Sequence, residues 1–318
     1  MSRRRPNRFD MVFIAEYALK MINAMPETIK EIKISGDVLY SYYLLHNEIT
    51  NEETPILTYD KYTEYYEKVM KLIDISDNVI TDEERTCKHE TVSFNQFFDN
   101  FWHANQRITI YGAITIDLSR FTELECFSIY QIYCKTIIKI PETVKCLSCK
   151  SCNMTKLSKV PKGIRILNCC GNKLYNLPQL FHTQLQSLFC NGNHIKRIPR
   201  LPDTVEWLYC YDNCISELPA ILPLSLEFLS CANNDLTYIS DLPNKLIGLY
   251  IENNFIRSIP ELPKTLVDLF FANNHVIKMP ELPGGLKRIT CHTNPLREYT
   301  PFPPSVKYAN IDGTILEI

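Results

Sequence analysis

From Ile140 onward the apolar positions return on a fixed beat. Units begin at Ile140, Val160, Phe181, Leu201, Leu222, Leu242, Leu262, Leu282 and Phe302, at steps of 20 or 21 residues. The template is L-P-x-x-L-x-x-L-x-C-x-x-N-x-L-x-x-L-P-x. Residues 262–281, LPKTLVDLFFANNHVIKMPE, follow it with Phe271 in the cysteine slot. A degenerate unit, LECFSIYQIYCKTIIKI, fits one step earlier at 124–140, and the last, FPPSVKYANIDGTILEI, keeps the apolar beat but loses the Asn. Within a unit, Leu208 and Cys210 alternate with Trp207, Tyr209 and Tyr211, which is the period of a strand. One short unit cannot bury its apolar face alone, but a stack of them can, each strand lying parallel to the next about 4.8 Å away. Pro recurs at two places in the return limb, as at Pro199 and Pro202. At that density it excludes a helix there and favours extended, polyproline-like backbone. The pattern therefore predicts a solenoid with a parallel sheet on its concave side and an extended convex side, over residues 107–318, with clear repeats at 140–301.

The first third of the chain lacks this beat. Met11, Ile14, Ala15, Ala18, Met21, Ile22 and Met25 fall on one helical face and predict a helix near 9–24. Further helices are expected at 58–75 and 91–106, the latter carrying Phe94, Phe97, Phe98, Phe101 and Trp102. Residues 1–106 are thus expected to form a mainly helical N-terminal region that caps the open end of the solenoid, and the whole belongs to the α+β class. Within it, MPETIKEIKISGDVL at 25–39 fits the repeat beat, as a stray strand or a decayed unit. ITIYGAITIDL at 108–118 alternates like a strand and would lead into the sheet.

Two slots carry polar or reactive residues on the beat. Asn172, Asn193, Asn213, Asn234, Asn254, Asn274 and Asn294 stand where the chain leaves the strand, with Cys152 in the same slot one unit earlier. A buried amide at such a turn can serve both the donors and the acceptors left over there, so a structural ladder is expected. Cys149, Cys169, Cys190, Cys210, Cys231 and Cys291 share an inward slot with Ile251 and Phe271. A position that takes Cys, Ile and Phe alike is a packing position, where free Cys acts as a small hydrophobe. The run KCLSCKSC spaces Cys146, Cys149 and Cys152 like a zinc or iron–sulfur motif. The repeat phase, however, turns Cys146 and Cys149 to opposite faces, and no metal or other cofactor is expected.

Residues between the inward slots project from the concave face. Phe189, Tyr209, Ser230, Tyr250 and Phe270 form one column, flanked by Trp207, Phe228 and Tyr211. Asp212, Glu252, Asp268, Arg288 and His292 bring mixed charge beside them. Two readings stand for the rings. They form a partner-binding surface rich in the residues that dominate binding hot spots, or they pack on one another along the ladder. The mixed charge suits a polypeptide partner better than a phosphate backbone.

Composition narrows the function further. With 318 residues, 45% of them hydrophobic, the chain can build a sizeable core. A net charge of −2 argues against nucleic acid as a partner, and the basic run SRRRPNR is read as solvated. Glu16 and Lys20 interrupt the N-terminal apolar stretch, so neither a secretory signal nor a membrane span is expected. Thirteen cysteines without an export signal favour a reducing, cytoplasmic compartment. The sequence carries no Gly-rich phosphate loop, H-E-x-x-H motif or nucleophile elbow. The expected function is a non-enzymatic protein–protein interaction scaffold. The alternative is an adaptor or enzyme whose activity lies in residues 1–106.

The pattern L-x-x-L-x-L-x-x-N, with Cys standing in at two slots, resembles the leucine-rich repeat class. The short repeat and the recurrent Leu-Pro, as in LPDTVEWLYC and LPNKLIGLYI, are similar to its shortest subtype, best known from bacterial effectors delivered into host cells. The resemblance covers roughly residues 121–318. The richness in Ile, Asn, Tyr and Lys also looks like the leucine-rich repeat proteins of giant DNA viruses of amoebae. The resemblance implies a protein partner, with a host protein among the candidates. Some bacterial relatives carry a C-terminal ubiquitin-ligase domain with a C-x-D motif. The sequence given stops at Ile318, and no such domain is expected. Cys210, Tyr211 and Asp212 spell C-x-D, but Cys210 falls in the inward slot.

Overall fold

The computed structural model describes residues 31–35, 114–311 and 314–317, with side chains described over 115–311. The helices expected at 9–24, 58–75 and 91–106, and the cap they would form, lie outside the described residues. The described strands, numbered along the chain, fall into two sheets. The larger has twelve strands in the order β1 (Glu31–Ser35), β3 (Cys126–Tyr130), β5 (Cys146–Lys150), β6 (Ile166–Asn168), β7 (Ser187–Phe189), β8 (Trp207–Tyr209), β9 (Phe228–Ser230), β10 (Gly248–Tyr250), β11 (Asp268–Phe270), β12 (Arg288–Thr290), β13 (Tyr308–Ile311) and β14 (Thr314–Glu317). The smaller joins β2 (Ile114–Asp117) to β4 (Cys134–Ile138) in parallel.

From β3 to β13 every strand of the large sheet pairs in parallel with the strand of the next repeat, like residue opposite like residue. Of the segment at 25–39, the described residues 31–35 join this stack as β1, which pairs in parallel with β3, Ile32 facing Phe127 and Ile34 facing Ile129. The described part of the 108–118 segment does not enter the large sheet. Its strand, β2, pairs with β4 instead. At the other end β14 turns back antiparallel on β13. Asp312-Gly313, between these two strands in the sequence, is a hairpin signal that the repeat template obscures.

The inward slots form continuous columns. Leu147, Leu167, Leu188, Leu208, Leu229, Leu249, Leu269 and Ile289 are fully buried, and Cys149, Cys169, Cys190, Cys210, Cys231, Ile251, Phe271 and Cys291 are buried beside them. Burial pushes the thiols of Cys149, Cys169, Cys190, Cys210 and Cys231 up, that of Cys210 to about 12. Cys146 is half-buried on the outer side of β5, whereas Cys149 and Cys152 are buried. The Cys149 Sγ lies 3.6 Å from the Asn168 carbonyl and the Cys152 Sγ 3.3 Å from the Lys150 carbonyl.

The asparagines form a ladder. The Asn193 amide donates to the carbonyl of Cys169 one rung back at 3.0 Å, and to those of Cys190 and Asn191 on its own rung at 3.0 and 3.3 Å. Its oxygen accepts the Leu174 N–H at 3.0 Å. The residue just before this slot has left-handed backbone on every rung: Gln131, Ser151, Gly171, Gly192, Asp212, Asn233, Asn253, Asn273 and Thr293, with φ from 53° to 64°. Asn, Asp and Gly tolerate that conformation best, which explains the recurrent Asn-Asn pair of the later repeats. Ahead of β5, β6 and β8 to β13 the chain closes a turn on Pro, as where the Val205 N–H donates to the Pro202 carbonyl at 3.2 Å; ahead of β3 and β7 the carbonyls of Phe121 and Leu180 close the turn. This turn and the ladder hold successive strands in one register.

Candidate functional site

Each strand is only three to five residues long, so it offers two or three outward positions. Parallel pairing in register stacks those positions into columns. The middle column of the face, at the third residue of each strand, runs Ser128, Ser148, Asn168, Phe189, Tyr209, Ser230, Tyr250, Phe270, Thr290 and Asn310. The column at their first residue includes Ser187, Trp207, Phe228, Gly248, Asp268 and Arg288. Tyr211, Glu252 and His292 lie two residues beyond the middle column, and Asp212 follows at the turn.

The rings are in mutual contact. Phe189 stacks on Tyr209 with centroids 5.3 Å apart, Trp207 stacks on Tyr209 at 6.2 Å, and Trp207 meets Phe228 at 4.7 Å. Tyr250 meets Phe270 edge-on at 5.1 Å. Contact does not hide them: Trp207 stays 37% exposed, and Phe189, Tyr209, Phe228, Tyr250 and Phe270 are half-buried. The strip thus satisfies the packing reading while leaving ring surface open. Ser230, small and buried, lies between the two tyrosines in its column.

Gly248 is a feature that the sequence pattern does not reveal. A Cβ there would lie 2.8 Å from Tyr250 Cε2 and 2.9 Å from Phe228 Cδ1. The two rings lean over its bare backbone, and a side chain would displace them. The signal was present as a break in an otherwise side-chain-bearing column.

The charged candidates divide into different environments. Asp268 is only 3% exposed and is not an open surface charge. Arg288 grips it through Nε and Nη2, each at 2.5 Å, and the Tyr250 hydroxyl donates to it at 3.0 Å. The Arg288 guanidinium lies 5.9 Å from the Phe270 ring centroid. Burial and then the adjacent Asp268 carboxylate hold the Tyr250 hydroxyl above the usual phenol range. Burial alone raises that of Tyr209. Asp212 is exposed and accepts the Asn233 amide at 2.6 Å. His292 is half-buried, its Nδ1 lying 3.1 Å from Thr293 Oγ1.

Glu252 differs from these. One carboxylate oxygen, Oε2, is shut off from solvent and has no hydrogen-bond partner. Ala232 and Ala272 occupy its place on the neighbouring rungs, and neither can reach it with a polar group. Burial raises its pKa from 4.5 to about 7, against a small lowering by a backbone hydrogen bond. In the unfolded chain this carboxyl titrates in the ordinary range, about 4.3. Between there and pH 7 the native state therefore binds more protons than the unfolded state, and this group's contribution to stability falls as pH rises. Glu252→Gln is expected to leave Tm nearly unchanged at pH 4.5 and to raise it by a few °C at pH 8, as read by calorimetry at the two pH values. Thr290 Oγ1 and Asn310 Oδ1, adjacent in the middle column, are also buried without a partner.

Among the described residues no group of three or more His, Cys, Asp or Glu side chains is placed to hold a metal ion. What the sheet face presents is ring surface, one internal ion pair and a few unmatched oxygens.

Comparison with known proteins agrees with this architecture. The structure is similar to YopM from Yersinia enterocolitica, with 27% identity over 60% of this chain and 47% of that one, at a TM-score of 0.50. The fold is a leucine-rich repeat solenoid. It is likewise similar to the functional domain of InlJ from Listeria monocytogenes, which includes a cysteine ladder, with 24% identity over 57% of this chain and 42% of that one, at a TM-score of 0.52. A leucine-rich repeat domain of a Shigella effector aligns with 30% identity over 38% of this chain and 64% of that one, at a TM-score of 0.32. The chain thus spans less than half the length of the YopM and InlJ chains it matches. No protein-family model matches the sequence, and no curated protein matches it.

Proposed function

We propose that this chain is a non-enzymatic scaffold that binds a polypeptide partner on the concave sheet face of its repeats, through Phe189, Trp207, Tyr209, Tyr211, Phe228, Tyr250 and Phe270. The observation that carries this reading is the aromatic strip. It runs from β7 to β11, its rings are set by in-register stacking, and it keeps ring surface open after the rings have packed together. Rings preordered by their neighbours lose little side-chain freedom on binding. Short, in-register strands also make a rigid frame, which suits recognition of an extended or helical segment lying across several rungs. The similarity to YopM supports the solenoid fold on which the reading depends.

The test is capture from amoebal and animal cell lysates by wild type and by a Tyr209→Glu, Phe270→Glu variant, after circular dichroism shows both folded. A protein held by wild type and lost by the variant is the expected result. A protein held equally by both would move the binding site off the sheet face.

A further inference from the structure

The middle of the sheet face is aromatic and acidic, and its ends are basic. On β7 to β11, neither the outward positions nor the residue preceding each strand is Lys or Arg. Glu206, Glu227 and Glu252 stand there among the rings. Lys145, Lys150 and Arg165 lie on the earlier rungs, and Lys287, Arg288 and Lys307 on the later ones. The protein matches one carboxylate in this region itself: Arg288 closes on Asp268 beside the Phe270 ring, and the Tyr250 hydroxyl completes the cluster. One rung earlier, and two residues beyond Tyr250 on the strand, Glu252 has no such cation. Its Oε2 is buried and unpartnered between two alanines. An unpaired buried carboxylate is costly, and a cation brought to it recovers that cost. Ring faces nearby favour a cation whose apolar stem can lie along them.

We propose that the centre of the sheet face seats a Lys or Arg side chain of an extended polypeptide, with Glu252 as its counter-ion and the Tyr209, Phe228 and Tyr250 rings beside its stem. The inference rests on the concave-face reading above and adds the chemistry of the partner. Glu252 as a whole is only half-buried, and its neighbours in the column, Ala232 and Ala272, are small. The basic ends of the face orient the segment, since they disfavour a peptide that is cationic throughout.

The test is selection of a random peptide library displayed on phage against wild type, followed by affinity measurements on the enriched peptides. The expected result is a shared Lys or Arg within an apolar setting. Changing that residue to Gln should weaken binding to wild type by at least about tenfold and change binding to Glu252→Gln little. Glu252→Gln preserves side-chain size, and circular dichroism checks its fold. Enriched peptides without a basic residue, or a Lys or Arg whose loss weakens binding equally to both proteins, would overturn the inference while leaving the concave-face reading intact. Failure to enrich any peptide, or peptides that bind the Tyr209→Glu, Phe270→Glu variant as well as wild type, would overturn both.

Discussion

Asn234→Leu is expected to destabilise the solenoid by about 3 kcal/mol or more, a large share of a typical folding free energy. The Asn234 amide donates to the carbonyls of Cys210, Cys231 and Ala232 at 3.1, 3.0 and 3.1 Å, and its oxygen accepts the Ile215 N–H at 2.9 Å. The residue is 6% exposed, so water cannot replace it readily. Leu has the same branching but a larger volume, and makes none of these bonds. It orphans the buried Ile215 N–H, at about 1–3 kcal/mol, and overpacks the site by about 1–3 kcal/mol more. It also takes one of two donors from each of the carbonyls of Cys210, Cys231 and Ala232, which keep Asn213, Asn254 and the Asp212 N–H. Because each repeat is held only by its neighbours, the loss weakens coupling between the two halves of the stack. The residue before it supplies the control. Asn233 is exposed, has φ 54°, and its side-chain amide donates to Asp212 at the surface. Asn233→Gly should stay within about 1 kcal/mol of wild type. Urea unfolding of the three proteins reads the difference, and equal effects at the two positions would contradict the ladder account.

The Tyr209→Glu, Phe270→Glu variant is expected to weaken partner binding by at least about 100-fold, because truncating a buried aromatic hot spot typically costs about 2 kcal/mol or more. Tyr209 is the hub of the first ring group, touching Phe189 and Trp207. Phe270 belongs to the second, with Tyr250 and the Arg288 guanidinium. One substitution in each group places a carboxylate in both halves of the strip. Both residues project away from the inward columns, so the cost to folding is that of lost ring contacts, roughly 1 kcal/mol at each site. Retained folding with lost affinity separates binding from packing, and the dissociation constant of the captured protein measures it.

The repeat was legible because a solenoid writes its contacts locally: each inward slot meets the same slot one period away, so the core of 140–301 follows from spacing alone. That logic also picked out Glu31–Ser35 as fitting the beat, although about 90 residues separate it from the strand it pairs with. It placed Cys149 and Cys210 inside and Trp207 and Tyr209 outside. What escaped depends on conformation or on side chains meeting across rungs. The left-handed residue before each Asn is a backbone property, and its slot accepts Gln, Ser and Thr as well as Gly and Asn. The β13–β14 hairpin ends the parallel stacking that the template assumes. The Asp268–Arg288 pair lies twenty residues apart in sequence and one rung apart in space, so two expected surface charges become one buried cluster. Gly248 and the unmatched Glu252 oxygen become visible only once neighbouring side chains are placed.

The central claim is that the sheet face is the binding surface, and oxidative footprinting of the captured complex tests it most directly. Trp207, on the strip, is 37% exposed, whereas Tyr175 and Tyr238, beyond the asparagine turn, are 55% and 50% exposed. All three should be oxidised in the protein alone. With the partner bound, the account predicts that oxidation of Trp207 falls sharply while Tyr175 and Tyr238 react as before. Protection of Tyr175 and Tyr238 with Trp207 unchanged would contradict it.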